Sequence, residues 1–134
     1  MPKLSVWIVR TALLYLGVGM TFGSLMLFNK GVLIDAQIWR LYAPHIEAIL
    51  IGWTVQLAMG VAFWITPRFR HPPKYGNIKR AWSAFILLNI GILLAIIGNW
   101  HGQTWIFAGR SLEALAVIAF VIQIWRRIKP FNAD

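Results

Sequence analysis

Long apolar stretches separated by short polar segments dominate the chain. Four of these stretches are long enough to cross a hydrocarbon core of about 30 Å at about 1.5 Å of rise per residue. They predict helices at about 5–28, 43–66, 81–100 and 104–126. Short connections between the later helices make neighbouring helices antiparallel. We therefore expect one all-α transmembrane domain over residues 1–134, an integral membrane four-helix up-down bundle.

Composition agrees with this pattern, because 59% of the residues are hydrophobic and only 13% are charged. Soluble domains average about 25% charged residues. The first apolar stretch is too long for a signal-peptide core and lacks a clear cleavage site, so we expect it to be retained as a helix. The chain contains no cysteine, which excludes disulfides, thiolate-bound clusters and thiol catalysis.

The basic residues that give the chain a net charge of +9 flank the apolar stretches. This position argues against a nucleic-acid partner. The basic residues of the second connection and of the two chain ends are Arg68, Arg70, Lys74, Lys79 and Arg80, then Lys3, Arg10, Arg126, Arg127 and Lys129. By the positive-inside rule, both termini and the second connection are expected on the cytoplasmic side of the cell inner (plasma) membrane. The basic connection is expected to rest against anionic lipid headgroups.

The second predicted helix is apolar except for a few polar side chains. At 100° per residue, His45, Gly52 and Gln56 form a narrow stripe that should face other protein. Glu47 lies on nearly the opposite face, so it either reaches the outer interface or meets a second partner. The glycines of the first two helices allow close approach of backbones and indicate helix packing. They are Gly17, Gly19, Gly23, Gly52 and Gly60.

The fourth predicted helix carries two opposite charges within its apolar stretch. Arg110 and Glu113 are three residues apart and are therefore adjacent on one face. A charge at the depth of Glu113 costs about 2.5–3.5 kcal/mol on insertion scales unless it is paired. We therefore expect an ion pair between these two side chains.

These residues predict a polar site near the outer side of the membrane. One candidate content is a b-type haem with His45 and His101 as its iron ligands and Arg110 neutralising a propionate. Another is a quinone or proton site formed by His45 with Glu47, Gln56 and Glu113. A third interpretation is structural: Arg110 and Glu113 form an ion pair, and both histidines sit among the headgroups.

The second helix resembles one helix of subunit I of the haem-copper oxidases and of related membrane proteins of the nitric-oxide response. The matching residues are His45, Gly52-Trp53, Gly60-Val61-Ala62, Trp64 and Pro67-Arg68. The resemblance implies that His45 stands where the oxidases place a ligand of the low-spin haem. Four helices and three histidines cannot supply the copper and second-haem ligands of those oxidases, so no complete oxygen-reducing centre is expected.

The expected function is that of an accessory subunit of a respiratory or photosynthetic electron-transfer complex. In this interpretation the chain packs against larger subunits of a quinol-oxidising or terminal-oxidase assembly and lines a quinone or haem pocket on its outer side. It would not be catalytic alone. Two alternatives stay open: an autonomous bis-histidine b-haem membrane protein and a small oligomeric transporter.

Overall fold

The computed structural model describes residues 1–128, and the regular structure in this range is entirely helical. Four helices are long and apolar enough to cross a membrane: α1 (Lys3–Gly31), α2 (Ala36–Ile65), α3 (Ile78–His101) and α4 (Gln103–Trp125). The prediction of an all-α chain with four such helices is confirmed. The four candidate spans suggest a multi-pass membrane protein.

Local side-chain chemistry explains where α3 begins and how it connects to α4. The side chain of Asn77 accepts a hydrogen bond from the Arg80 backbone N–H at 3.2 Å, so α3 begins three residues before the predicted start. A single residue, Gly102, connects α3 to α4. Its φ of 118° lies in the region that favours glycine, because a side chain would be strained there.

Helix α2 is composite, whereas the apolar pattern predicted a regular α-helix from residue 43. It begins as a 3₁₀-helix at Ala36–Leu41, which the Asp35 side chain caps by accepting from the Gln37 N–H at 2.8 Å. An α-helical turn at Tyr42–Glu47 leads into a π-helical segment at Ala48–Val55, and α-helix resumes at Gln56–Ile65. Segments of π-helix are rare and are often found at functional sites.

The helices pack as two pairs, α1 with α2 and α3 with α4. The space for a Cβ at Gly23, late in α1, is taken by His45 of early α2, and the space at Gly60, late in α2, is taken by Ile8 of early α1. Gly98 meets Ile106 in the same way. A buried apolar cluster joins the pairs, and its members include Leu4, Ile8, Met59, Phe63, Ala81, Ala84, Leu88, Ile92, Ala116 and Phe120.

The backbones of α3 and α4 approach most closely at Gly109. A Cβ atom built there would lie 2.7 Å from both the Gly91 carbonyl oxygen and the Ala95 nitrogen. Real Cβ atoms do not approach backbone atoms so closely, so only glycine fits. Small residues at this interface allow the two backbones to approach closely, as they do between membrane helices.

Arg127, just beyond α4, holds the end of α2. Its guanidinium donates to the carbonyl oxygens of Phe63 at 2.9 Å, Thr66 at 2.8 Å and Pro67 at 3.0 Å. The residue is only 1% exposed, so these hydrogen bonds satisfy a buried charge. These carbonyls lie where a helix end leaves acceptors without intrahelical donors. Burial lowers the pKa of the Arg127 guanidinium, which still stays charged at neutral pH. Lys129 lies outside the described residues.

Candidate functional site

Three charged side chains meet between α2 and α4. An Arg110 nitrogen, Nη2, lies 2.6 Å from Glu47 Oε2, and its Nη1 donates to Glu113 Oε2 at 3.0 Å. Glu113 follows Arg110 by one helical turn, whereas Glu47 comes from the last residue before the π-helical segment of α2. We call Glu47, Arg110 and Glu113 the charge triad. The predicted pair therefore exists, and Glu47 joins it as the second carboxylate.

The members of the charge triad differ in exposure. Glu47 is 3% exposed and Glu113 is 6% exposed, whereas half of the Arg110 side chain is accessible. Each carboxylate has one oxygen, Oε1, that is buried and has no hydrogen-bond partner. The accessible part of the site is therefore the Arg110 side chain, and the two carboxylate oxygens without donors are buried. Buried acceptors without donors are costly and are unusual in native proteins.

Helix α1 covers the opposite face of α2, where the stripe predicted from the sequence lies. His45 Nδ1 is 2.7 Å from the Gly19 carbonyl oxygen, and the ring lies against Gly23. Gly52 packs against the Tyr15 ring, and Gln56 Nε2 donates to the Ile8 carbonyl at 3.4 Å. The stripe therefore faces protein, as expected. Because Glu47 lies on the other face, Gln56 is not part of the charge triad.

The two candidate haem ligands lie on different helices, His45 on α2 and His101 on α3. A carbonyl oxygen can only accept, so His45 Nδ1 carries a hydrogen and Nε2 is the nitrogen left for another partner. His101 is exposed at the last residue of α3. Within residues 1–128, no hydrogen bond or ion pair links either histidine to the other or to the charge triad, and no group of three or more metal-ligating side chains is present.

Tyr15 packs against α2 although the sequence did not single it out. Its ring fills the space beside Gly52, on the face of α2 that α1 covers. It is the one tyrosine in the first apolar stretch, which was the only sequence feature that set it apart.

Fold and site together suggest a small multi-pass membrane protein in which the charge triad joins two helices and both of its carboxylates are buried. Comparison of the chain with protein-family models, with curated proteins and with solved structures finds no match. The resemblance of α2 to an oxidase helix therefore stays a hypothesis.

Proposed function

We propose that this chain is an accessory subunit of a membrane electron-transfer assembly and that its charge triad lines a quinone pocket. The observation that carries the proposal is the half-exposed side chain of Arg110 on a helix long and apolar enough to span a membrane. A charge that faces hydrocarbon is expensive, so such residues normally face protein, water or a ligand. A polar partner should therefore cover Arg110.

The charge triad has the chemistry that a quinone headgroup requires. A guanidinium has five N–H donors, and quinone carbonyl oxygens are acceptors. Oxidation of a quinol also needs a base near its hydroxyl group, and the two carboxylates in contact with Arg110 are the nearby acceptors. Arg110 would hold one end of the headgroup, and a carboxylate would accept the hydroxyl proton.

The proposal includes an orientation in the membrane. Late α1 meets early α2, and the same relation holds for α3 and α4, which supports an up-down arrangement. The positive-inside rule then places both termini and the basic connection in the cytoplasm, with the plasma membrane as the host. Arg110 follows Gln103 by seven residues, so the charge triad lies roughly 10 Å from the outer end of α4.

Isolation of the tagged full chain from its native membranes in mild detergent tests the proposal. We expect larger quinol-oxidising or terminal-oxidase subunits to co-purify with it. Arg110→Met should raise the KM for quinol of that assembly, whereas Arg126→Met, which removes an exposed arginine just beyond α4, should leave it unchanged. A chain that co-purifies with no redox protein would contradict the proposal.

A second candidate function is haem binding through His45. Iron-ligating histidines usually donate their other ring N–H to a backbone carbonyl or a carboxylate, and the contact between His45 and Gly19 has this form. A reduced-minus-oxidised visible spectrum of the same preparation distinguishes the candidates. A b-type band that His45→Ala abolishes would favour the haem carrier, and His101→Ala would show whether His101 supplies the second ligand.

A further inference from the structure

We propose that the charge triad binds one exchangeable proton, held between the carboxyl groups of Glu47 and Glu113. The inference rests on the proposed function in that it names a ligand of the same site. It concerns the isolated chain, however, and it holds whether or not an electron-transfer partner exists. Its experiment therefore needs neither a partner nor a quinone.

Charge balance is the first argument. Two ionised carboxylates and one guanidinium leave a net charge of minus one where α2 and α4 meet, and both carboxylates are buried there. Two carboxylates that share one site do not both ionise readily, because each disfavours the charge of the other. One proton makes the charge triad neutral.

The arrangement of the oxygen atoms is the second argument. Both Oε2 atoms face Arg110, and the two Oε1 atoms are buried without a donor. Because both carboxyl groups contact the same guanidinium, they lie beside each other. A hydrogen on one carboxyl group can therefore be donated to the other, which satisfies an acceptor that otherwise lacks a partner.

The surrounding helices supply no second positive charge. The α1 side chain packed against Gly52 of α2 is Tyr15, an uncharged phenol at neutral pH, and α3 contributes Gly91 against the Glu113 side chain. His45 is two residues from Glu47 but faces α1 through its contact with Gly19. Within residues 1–128, Arg110 is the one cation in ion-pair contact with these carboxylates.

Infrared spectroscopy of the purified full chain can count protonated carboxyl groups, and the sequence makes the assignment simple. The chain has four acidic side chains in all: Asp35, Glu47, Glu113 and Asp134. We expect the carbonyl stretching band of one protonated carboxyl group at pH 7, with a shift on exchange into heavy water. The band should disappear as the pH is raised and return when it is lowered.

Variants give the proposal a signature that a merely structural ion pair does not. Glu47→Gln and Glu113→Gln each leave one carboxylate opposite Arg110, so each should abolish the band at pH 7. Arg110→Met should increase the band about twofold, because both carboxyl groups then keep a proton. Asp35→Asn, which changes an exposed carboxylate, should leave the band unchanged.

Three outcomes would overturn the proposal. The wild-type chain could lack the band at pH 7, or the band could survive both glutamine substitutions. The band could also appear only after sodium is replaced by a bulky organic cation, which would make the site a sodium site. The wild-type measurement decides the first outcome even where Arg110→Met fails to fold. A clear band in a chain without redox partners would leave the proton site standing and remove the proposed function.

Discussion

At the level of single residues, Arg110 supplies the positive charge that compensates the buried carboxylates of Glu47 on α2 and Glu113 on α4. Each carboxylate is almost inaccessible, and the same guanidinium contacts both. Removing one partner from a buried ion pair typically costs more than the pair contributes, because a charge stays buried without compensation. Arg110 should therefore matter more for stability than its own exposure indicates.

We expect Arg110→Met to lower the free energy of unfolding by about 3 kcal/mol at pH 8. The loss should shrink as the pH falls, since protonation of Glu47 and Glu113 removes the uncompensated charge. Thermal unfolding in detergent, followed by circular dichroism at several pH values, measures this effect. Arg10→Met is the control, and an equal effect of both substitutions would contradict the assigned role.

Arg127 shows that neighbouring basic residues can have different roles. Arg127 is buried and donates to three carbonyl oxygens, whereas Arg126 is exposed. Arg127→Met should therefore destabilise the protein by about 2–4 kcal/mol, because it leaves these carbonyls without a charged donor. Arg126→Met should change stability by less than about 0.5 kcal/mol. Chemical unfolding of both variants tests the difference.

At the level of helices, the sequence predicted the packing of α1 on α2 more fully than that of α3 on α4. Among the glycines singled out in advance, Gly19, Gly23, Gly52 and Gly60 face the partner helix, while Gly17 faces open space. The closest backbone approach, at Gly109, was missed. A single glycine in an apolar helix gives little indication of which partner backbone it will meet.

Substitution of these glycines separates close packing from helix propensity. Gly109→Ala should destabilise the chain by about 1–3 kcal/mol, because its Cβ would collide with the backbone of α3. Gly17→Ala should be neutral or slightly stabilising, since alanine favours helix and the space beside Gly17 is open. Equal melting temperatures for the two variants would show that the α3–α4 contact is looser than described.

The structure of α2 shows what a helical wheel, drawn at 100° per residue, could and could not predict. The wheel correctly grouped His45, Gly52 and Gln56 on one face, because each of them contacts α1. It could not identify the partner of Glu47, since that depends on how α4 is placed. The π-helical segment was missed, because an apolar pattern shows which residues avoid water and not which carbonyl each backbone N–H contacts.

At the level of the whole molecule, the charge distribution predicts an orientation that the helix contacts leave open. The five basic residues of the second connection are all exposed. This favours contact with a cytoplasmic surface of anionic lipids, each residue contributing about 1 kcal/mol near the surface. The four candidate spans could be predicted from the sequence because the length and the hydropathy of a stretch are enough to identify it as a candidate span.

A chain without cysteine allows a direct test of this orientation. Cysteine introduced for His71 in the basic connection should be labelled by a membrane-impermeant maleimide only after the cells are opened. Cysteine introduced for Leu33, which is 78% exposed between α1 and α2, should be labelled in intact cells. Labelling in the reverse order would place both termini outside the cytoplasm.

The single-residue connection at Gly102 has a consequence for how the polypeptide enters the bilayer. In the proposed orientation, the segment between α1 and the α-helical turn that starts at Tyr42 contains Asp35 and Arg40, so its transfer across the membrane requires charged groups to leave water. Between α3 and α4 only one glycine has to be transferred besides the helix ends. The second half of the chain can therefore insert as a preassembled hairpin, in which Gly91 and Gly98 of α3 already pack against α4 and Gly109 of α4 already packs against α3.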